Sequence, residues 1–155
     1  MDVMDDDILN LWKALDKFKV AYIMVGGFAT NLHGFSRITA DLDIWLKDSA
    51  ANRKNFRQAL NEAGVGDFKE LEQIEFVAGW TSIYLDSGLE LDIMTNLKGF
   101  PEERFDECYQ MAPIAIIHDI PVRFLHLSHL IEAKKASARP KDLLDIEELN
   151  KLSKP

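Results

Sequence analysis

"VGGFATNLHGFSRITADLDIWL", Val25 to Leu46, decides how the rest of the chain is read. An apolar run, Ala21 to Val25, stops at Gly26-Gly27. A short helical pattern follows and closes at Gly34, where glycine suits the end of a helix. Then "DLDIWL" alternates, with Leu42, Ile44 and Leu46 facing one way and Asp41, Asp43 and Trp45 the other. Residues i and i+2 of a strand share a face, so Asp41 and Asp43 stand side by side and repel each other. Burying such a pair is costly unless an opposite charge answers it.

Working outward, Ile8, Leu11, Trp12, Leu15 and Phe18 recur at helical spacing behind acidic residues that suit a helix start. Ser49 is an N-cap for a helix carrying Phe56, Ala59, Leu60 and Ala63 on one stripe. "TSIYLDSGLELDIM" reads as a hairpin turning at Asp86 to Gly88, with Glu90 and Asp92 on the polar side of its second strand. A short helix is expected from Pro101, since proline is tolerated in a first turn. Two short strands are expected around His118-Asp119, and two helices, Ser128 to Ala136 and Pro140 to Leu152, close the chain.

The 155 residues suggest one domain spanning 1–155, with the helices of residues 127–152 packed on its core. A hydrophobic share of 47% is enough to build that core. The one cysteine, Cys108, permits no internal disulfide and has no base beside it in sequence, so no catalytic thiol is expected. The acidic start reads as neither a signal peptide nor a membrane span, and a cytoplasmic protein is expected. A formal net charge of -8 argues against a broad nucleic-acid face, yet leaves room for a phosphate-bearing ligand if a divalent metal supplies local positive charge.

Asp92 adds a third carboxylate from a separate strand. Three carboxylates on one sheet face suit a hard cation, Mg²⁺ or Mn²⁺, and no Cys/His cluster with zinc spacing competes. Gly26-Gly27 lets the backbone approach a ligand closely, and the helix start behind it offers N–H groups to phosphate. Other readings of these residues stand beside this one: surface acids on a strand edge for Asp41 and Asp43, an ordinary strand–helix turn for the glycines, an open hairpin face for Asp92.

Taken together, Gly26, Gly27, Asp41, Asp43 and Asp92 resemble the signature of the nucleotidyltransferase superfamily that includes DNA polymerase beta and the aminoglycoside nucleotidyltransferases. "HLIEAKKASARPKDLLDIEEL", His129 to Leu149, is similar to the tail of small bacterial nucleotidyltransferase-like proteins linked to toxin–antitoxin or abortive-infection systems. Lys134, Arg139, Lys141, Asp142 and Asp145 occupy the corresponding positions. The resemblance implies an α/β (α+β) fold like the polymerase beta palm: a mixed twisted sheet of about five strands with flanking helices, mainly on one side.

It also implies a metal-dependent transfer of a nucleoside monophosphate from an NTP to a hydroxyl. Asp41, Asp43 and Asp92 would be the catalytic and Mg²⁺- or Mn²⁺-binding residues, and Gly26, Gly27, Arg37, Thr39 and Lys134 would contact the nucleotide. The acceptor is left open among an RNA end such as tRNA, a protein and a small molecule, as is a toxin or antitoxin partner. The rival readings are a catalytically inactive nucleotide- or partner-binding module of a toxin–antitoxin pair and a metal-dependent phosphohydrolase. Asp142 reads as a cap or tether of the last helix, Arg37 alternatively as an ion-pair partner of Asp41, and the histidines as structural. Trp45, sharing a face with the aspartates, is a residue that could border a base.

Overall fold

The computed structural model describes residues 6–34, 41–73 and 80–152, with the Trp80 side chain outside that description. The elements follow in order: α1 (Asp6–Lys17), β1 (Tyr22–Val25), α2 (Gly26–Leu32), β2 (Asp41–Leu46), α3 (Ala50–Glu62), a 3₁₀ turn (Lys69–Glu72), β3 (Trp80–Tyr84), β4 (Glu90–Met94), a second 3₁₀ turn (Glu102–Arg104), α4 (Phe105–Met111), β5 (Ile114–Ile117), β6 (Ile120–Arg123), α5 (Leu127–Ser137) and α6 (Pro140–Leu152).

Local chemistry sets several boundaries. Ser49 accepts a hydrogen bond from the Asn52 backbone N–H at 3.1 Å and caps α3. Pro140 opens α6, where a missing N–H costs nothing, and the Asp142 carboxylate accepts from the Arg139 backbone N–H at 3.1 Å. Asp142 thus ties down the start of the last helix, as its sequence position suggests.

Four strands form one mixed sheet in the order β1-β2-β4-β3. β1 runs antiparallel to β2, β2 parallel to β4, and β4 antiparallel to β3. The expected sheet of about five strands is therefore four strands plus a separate hairpin, β5-β6. That hairpin satisfies its own ladder from Ile114↔Arg123 to Ile117↔Ile120. Among the described residues, it meets the main sheet at the end of β1, through a Met24↔Phe124 bridge and a Leu125 N–H donating to the Met24 carbonyl at 2.9 Å.

Register positions the site. Val25, the last residue of β1, pairs with Asp43; Asp43 pairs with Asp92, and Asp92 with Ser82. One row thus crosses all four strands, and the row below it joins Asp41, Glu90 and Tyr84. Directly paired residues share a face. Leu42, Ile44, Leu91 and Ile93, alternating with these acids, are fully buried in the core together with Trp12, Phe28 and Phe56. Leu130, Ile131, Ile146 and Leu149 of α5 and α6 belong to the same core.

Trp45 has a structural role. Its side chain has 0% exposure, its ring meets Phe105 edge-on at 5.3 Å, and its Nε1 donates to the Thr95 carbonyl at 3.0 Å. The aspartate face of the sheet is open at the end bearing the carboxylates and roofed by Phe100 and Phe105 at the other, which removes Trp45 from contact with any base.

Candidate functional site

The site is a cavity of about 540 Å³ between the end of the sheet and the last two helices. One wall is acidic, with Asp41, Asp43 and Asp92; the facing wall carries Lys134, Arg139 and Lys141. Gly26 and Gly27 lie at its edge. Of the residues singled out in sequence, Gly26, Gly27, Asp41, Asp43, Asp92 and Lys134 come together here. Arg37 and Thr39 lie outside the described residues.

Gly26 starts α2 with φ +68°, in the left-handed region that favours glycine. A Cβ added there would lie 2.2 Å from Asp43 Oδ2. The close approach that demands glycine is therefore to the carboxylate of the neighbouring strand. This follows from register: β1 ends opposite Asp43, so the turn into α2 begins beside it.

The acids share an electrostatic problem. Burial, then Asp41, then Asp92 push the Asp43 carboxyl up to about 7 from its ordinary 3.8, with Lys141 pulling slightly the other way. Burial raises Asp92 as well, and the Ser82 hydroxyl, donating to Asp92 Oδ1 at 2.7 Å, opposes the rise. Asp92 favours the protonated form of Asp43 both by its charge and by its side-chain contact. Glu90 joins this group: one carboxylate oxygen each from Asp41, Glu90 and Asp92 lie within 4.8 Å of one another. An all-oxygen donor set of this kind fits a hard divalent cation, and a cation would answer the repulsion that holds Asp43 protonated.

On the facing wall, buried Lys134 donates to Asp145 Oδ2 at 2.8 Å, linking α5 to α6. Arg139 bonds Asp142 through Nε at 2.7 Å and Nη2 at 3.2 Å. Among the basic side chains lining the cavity, Lys98 and Lys141 have no ion pair to a described residue. Sequence reasoning missed Glu90 and Ser82. The signal for Glu90 was present, since Glu90-Leu91-Asp92 repeats the spacing of Asp41-Leu42-Asp43.

No family model matches the chain, and no curated protein matches its sequence. Solved structures do resemble it. The lincomycin-bound lincosamide antibiotic adenylyltransferase LnuA superposes with a TM-score of 0.64 at 15% identity, covering 99% of this chain and 100% of that one. An antigenic nucleotidyltransferase-like protein from Paracoccidioides brasiliensis gives 0.57 at 18% identity over 97% of this chain and 77% of that one. ANT(2″)-Ia in complex with adenylyl-2″-tobramycin gives 0.51 at 17% identity, over 94% and 91%. The likeness over nearly the whole chain shows that it has the fold of these nucleotidyltransferase-like structures.

Proposed function

We propose that the protein is a metal-dependent nucleotidyltransferase that moves a nucleoside monophosphate from an NTP to a hydroxyl acceptor. The observation that carries this reading is the pairing of Asp43 with Asp92 across parallel strands, next to Asp41, in a cavity that also holds Gly26-Gly27 and a basic wall. Asp41 and Asp92, whose carboxylate oxygens converge with one of Glu90, and Asp43, which lines the same cavity beside them, would hold Mg²⁺ or Mn²⁺. Bound there, the cation would supply positive charge to offset that of the phosphate oxygens.

The chain's own residues do the rest. Gly26 and Gly27 leave room for the triphosphate beside the acids, and Lys141 attracts it from the facing wall. Lys134 keeps two N–H donors beyond the one given to Asp145, and fixes α5 and α6 relative to each other. Asp92, whose ionised form the Ser82 hydroxyl favours against the effect of burial, would accept the proton of the attacking hydroxyl. The hydroxyl oxygen bonds to the α-phosphorus, and the bond to the bridging oxygen breaks to release pyrophosphate.

The adenylyltransferases similar in fold, one bound to lincomycin and one to adenylylated tobramycin, support a small hydroxyl-bearing acceptor. The resemblance of residues 129–149 to toxin–antitoxin proteins supports membership of such a pair. The test is pyrophosphate release from each NTP with Mg²⁺, using small polyols, total RNA and protein extract as separate acceptor pools, for the wild type and Asp43→Ala. Release that is Mg²⁺-dependent and lost in Asp43→Ala is expected. Nucleotide binding without release in any pool, equal in both proteins, would replace the enzyme with a binding module.

A further inference from the structure

The hairpin leaves β5 as an outer edge. β6 turns one side toward β1, where the Leu125 N–H meets the Met24 carbonyl, and β5 lies on its other side. Among the described residues, no strand pairs with the far side of β5.

Register decides which groups stand on that edge. Ile117 pairs with Ile120 across a two-residue loop, His118-Asp119, whose φ values of +50° and +66° are those of the primed turn that closes tight hairpins. Along an antiparallel pair, opposed residues that exchange hydrogen bonds alternate with opposed residues that do not. The Phe124 N–H donates to the Pro113 carbonyl at 3.1 Å, so these two are a bonded pair. Counting inward, Ile114 and Arg123 are unbonded, Ala115 and Val122 are bonded, and Ile116 and Pro121 are unbonded. Pro121 has no N–H to give, which agrees with its place in an unbonded pair. The N–H and C=O of Ile114 and of Ile116 therefore point away from β6. No hydrogen bond to a described residue takes them up.

Nothing on the strand guards this edge. Open edges are ordinarily blunted by charged side chains, proline or a bulge. From Met111 to Ile117 the sequence carries no charge, and β5 itself has no proline. The Ile114 and Ile116 side chains share the outer face and are 49% and 67% exposed. Ala115 and Ile117 turn the other way, against the core. In a chain of net charge -8, this is an edge where a copy can approach without like charges meeting.

We infer that a second copy of this chain docks here, β5 against β5 antiparallel about a twofold axis at Ala115, so that two hairpins make one four-stranded sheet. The strand is complementary to itself in this register. Ile114 of one copy lies opposite the partner's Ile116, and both carry outward backbone groups. Each of the two such pairs exchanges two hydrogen bonds. Faces also match: isoleucine meets isoleucine outside, and Ala115 meets its own copy inside. That central pair is unbonded and brings its Cα atoms to ~4.5 Å, which suits a small side chain. A slip by one residue would set outward groups against inward ones and mix the faces. The interface is the same patch on both copies, and it is short. It belongs to the weak, concentration-dependent class below ~1,200 Å². No residue of β5 lines the acidic cavity, so the inference is independent of nucleotidyl transfer.

The test is sedimentation equilibrium of the full chain up to roughly millimolar concentration. The mean mass should climb from 17.7 kDa toward twice that value. Ile116→Pro removes an outward N–H and no bond of the hairpin; it should keep the wild-type far-UV spectrum and weaken association at least about tenfold. Register is read by cross-linking. Ala115→Cys should form a disulfide-linked dimer on mild oxidation, because its two copies meet at the axis. Ile116→Cys should not, because its copies are offset along the strands and stand ~7–8 Å apart. Native Cys108 is buried and does not compete. A monomer at every concentration, association unchanged in Ile116→Pro, or equal cross-linking of the two cysteine variants overturns the inference. Association that survives Ile116→Pro and is lost in Leu143→Glu would instead place the contact on α6, where Leu143 and Leu144 are exposed.

Discussion

Asp43→Asn should make the metal-free protein more stable while removing its activity, and the size of the gain should depend on pH. The Asp43 carboxyl is pushed up to about 7 by burial, Asp41 and Asp92, from 3.8 in an unfolded chain. The folded state therefore binds this proton more tightly than the unfolded state. The stability linked to Asp43 is complete below 3.8 and is lost as pH rises through about 7. Between pH 5 and pH 7 the loss runs at about 1.4 kcal/mol per pH unit, then levels off, so about 3 kcal/mol goes by pH 8. Asn keeps the shape and carries no charge at either pH.

The stability difference between variant and wild type should therefore grow by about 3 kcal/mol from pH 5 to pH 8. For a chain of this length that is a Tm gap wider by roughly 6–12 °C. Thermal unfolding in EDTA at both pH values measures it. Adding Mg²⁺ at pH 8 should raise the wild-type Tm more than that of the variant, because the cation answers the charge that Asn lacks. A Tm gap that is the same at pH 5 and pH 8 would refute the crowding of carboxylates as the source of strain.

Gly26→Ala should lower stability by about 1–3 kcal/mol, because φ +68° is strained for alanine and the new Cβ meets Asp43 Oδ2; denaturant unfolding reads this, and turnover should fall at least tenfold as the carboxylate is displaced. Ser82→Ala removes the hydrogen bond that favours ionised Asp92, so the acidic limb of the kcat/KM profile should move to higher pH, at a stability cost of about 1 kcal/mol. Lys134→Met leaves the buried Asp145 without its 2.8 Å ammonium partner and should cost about 3–5 kcal/mol by chemical denaturation, with Lys134→Met/Asp145→Asn recovering a large part of it.

What the sequence revealed and what it withheld divide along a physical line. Alternation in "DLDIWL" assigns faces, because side chains in a strand repeat every two residues, so the shared face of Asp41 and Asp43 was legible. The hairpin around Gly88 was legible from its turn residues, and the Gly88 N–H does donate to the Leu85 carbonyl at 2.8 Å. Alternation says nothing about what covers a face, which is why Trp45 could be expected beside a ligand and is in fact roofed by Phe100 and Phe105. Nor does it choose strand partners: β5 and β6 were recognisable as strands, but their preference for each other over the main sheet is a tertiary outcome. The Lys134–Asp145 pair spans the junction of two helices, and neither helix pattern alone implies it.

One constraint unites the features of the site. Pairing β2 with β4 at Asp43↔Asp92 fixes the acids together, and pairing β1 with β2 at Val25↔Asp43 brings the α2 turn against the same carboxylate. Given those two registers, residue 26 has to lack a Cβ, and residue 82 is carried opposite Asp92, where a hydroxyl can help. A slip of β2 by a single residue would turn Leu42 and Ile44 outward and both aspartates into the core, a loss on both faces at once. The fully buried alternate positions of β2 and β4 therefore act as the clamp that forces the acids together. The apolar half of each strand supplies the stability that the charged half gives up, and this is why carboxylates that repel one another can be held at one end of a stable sheet.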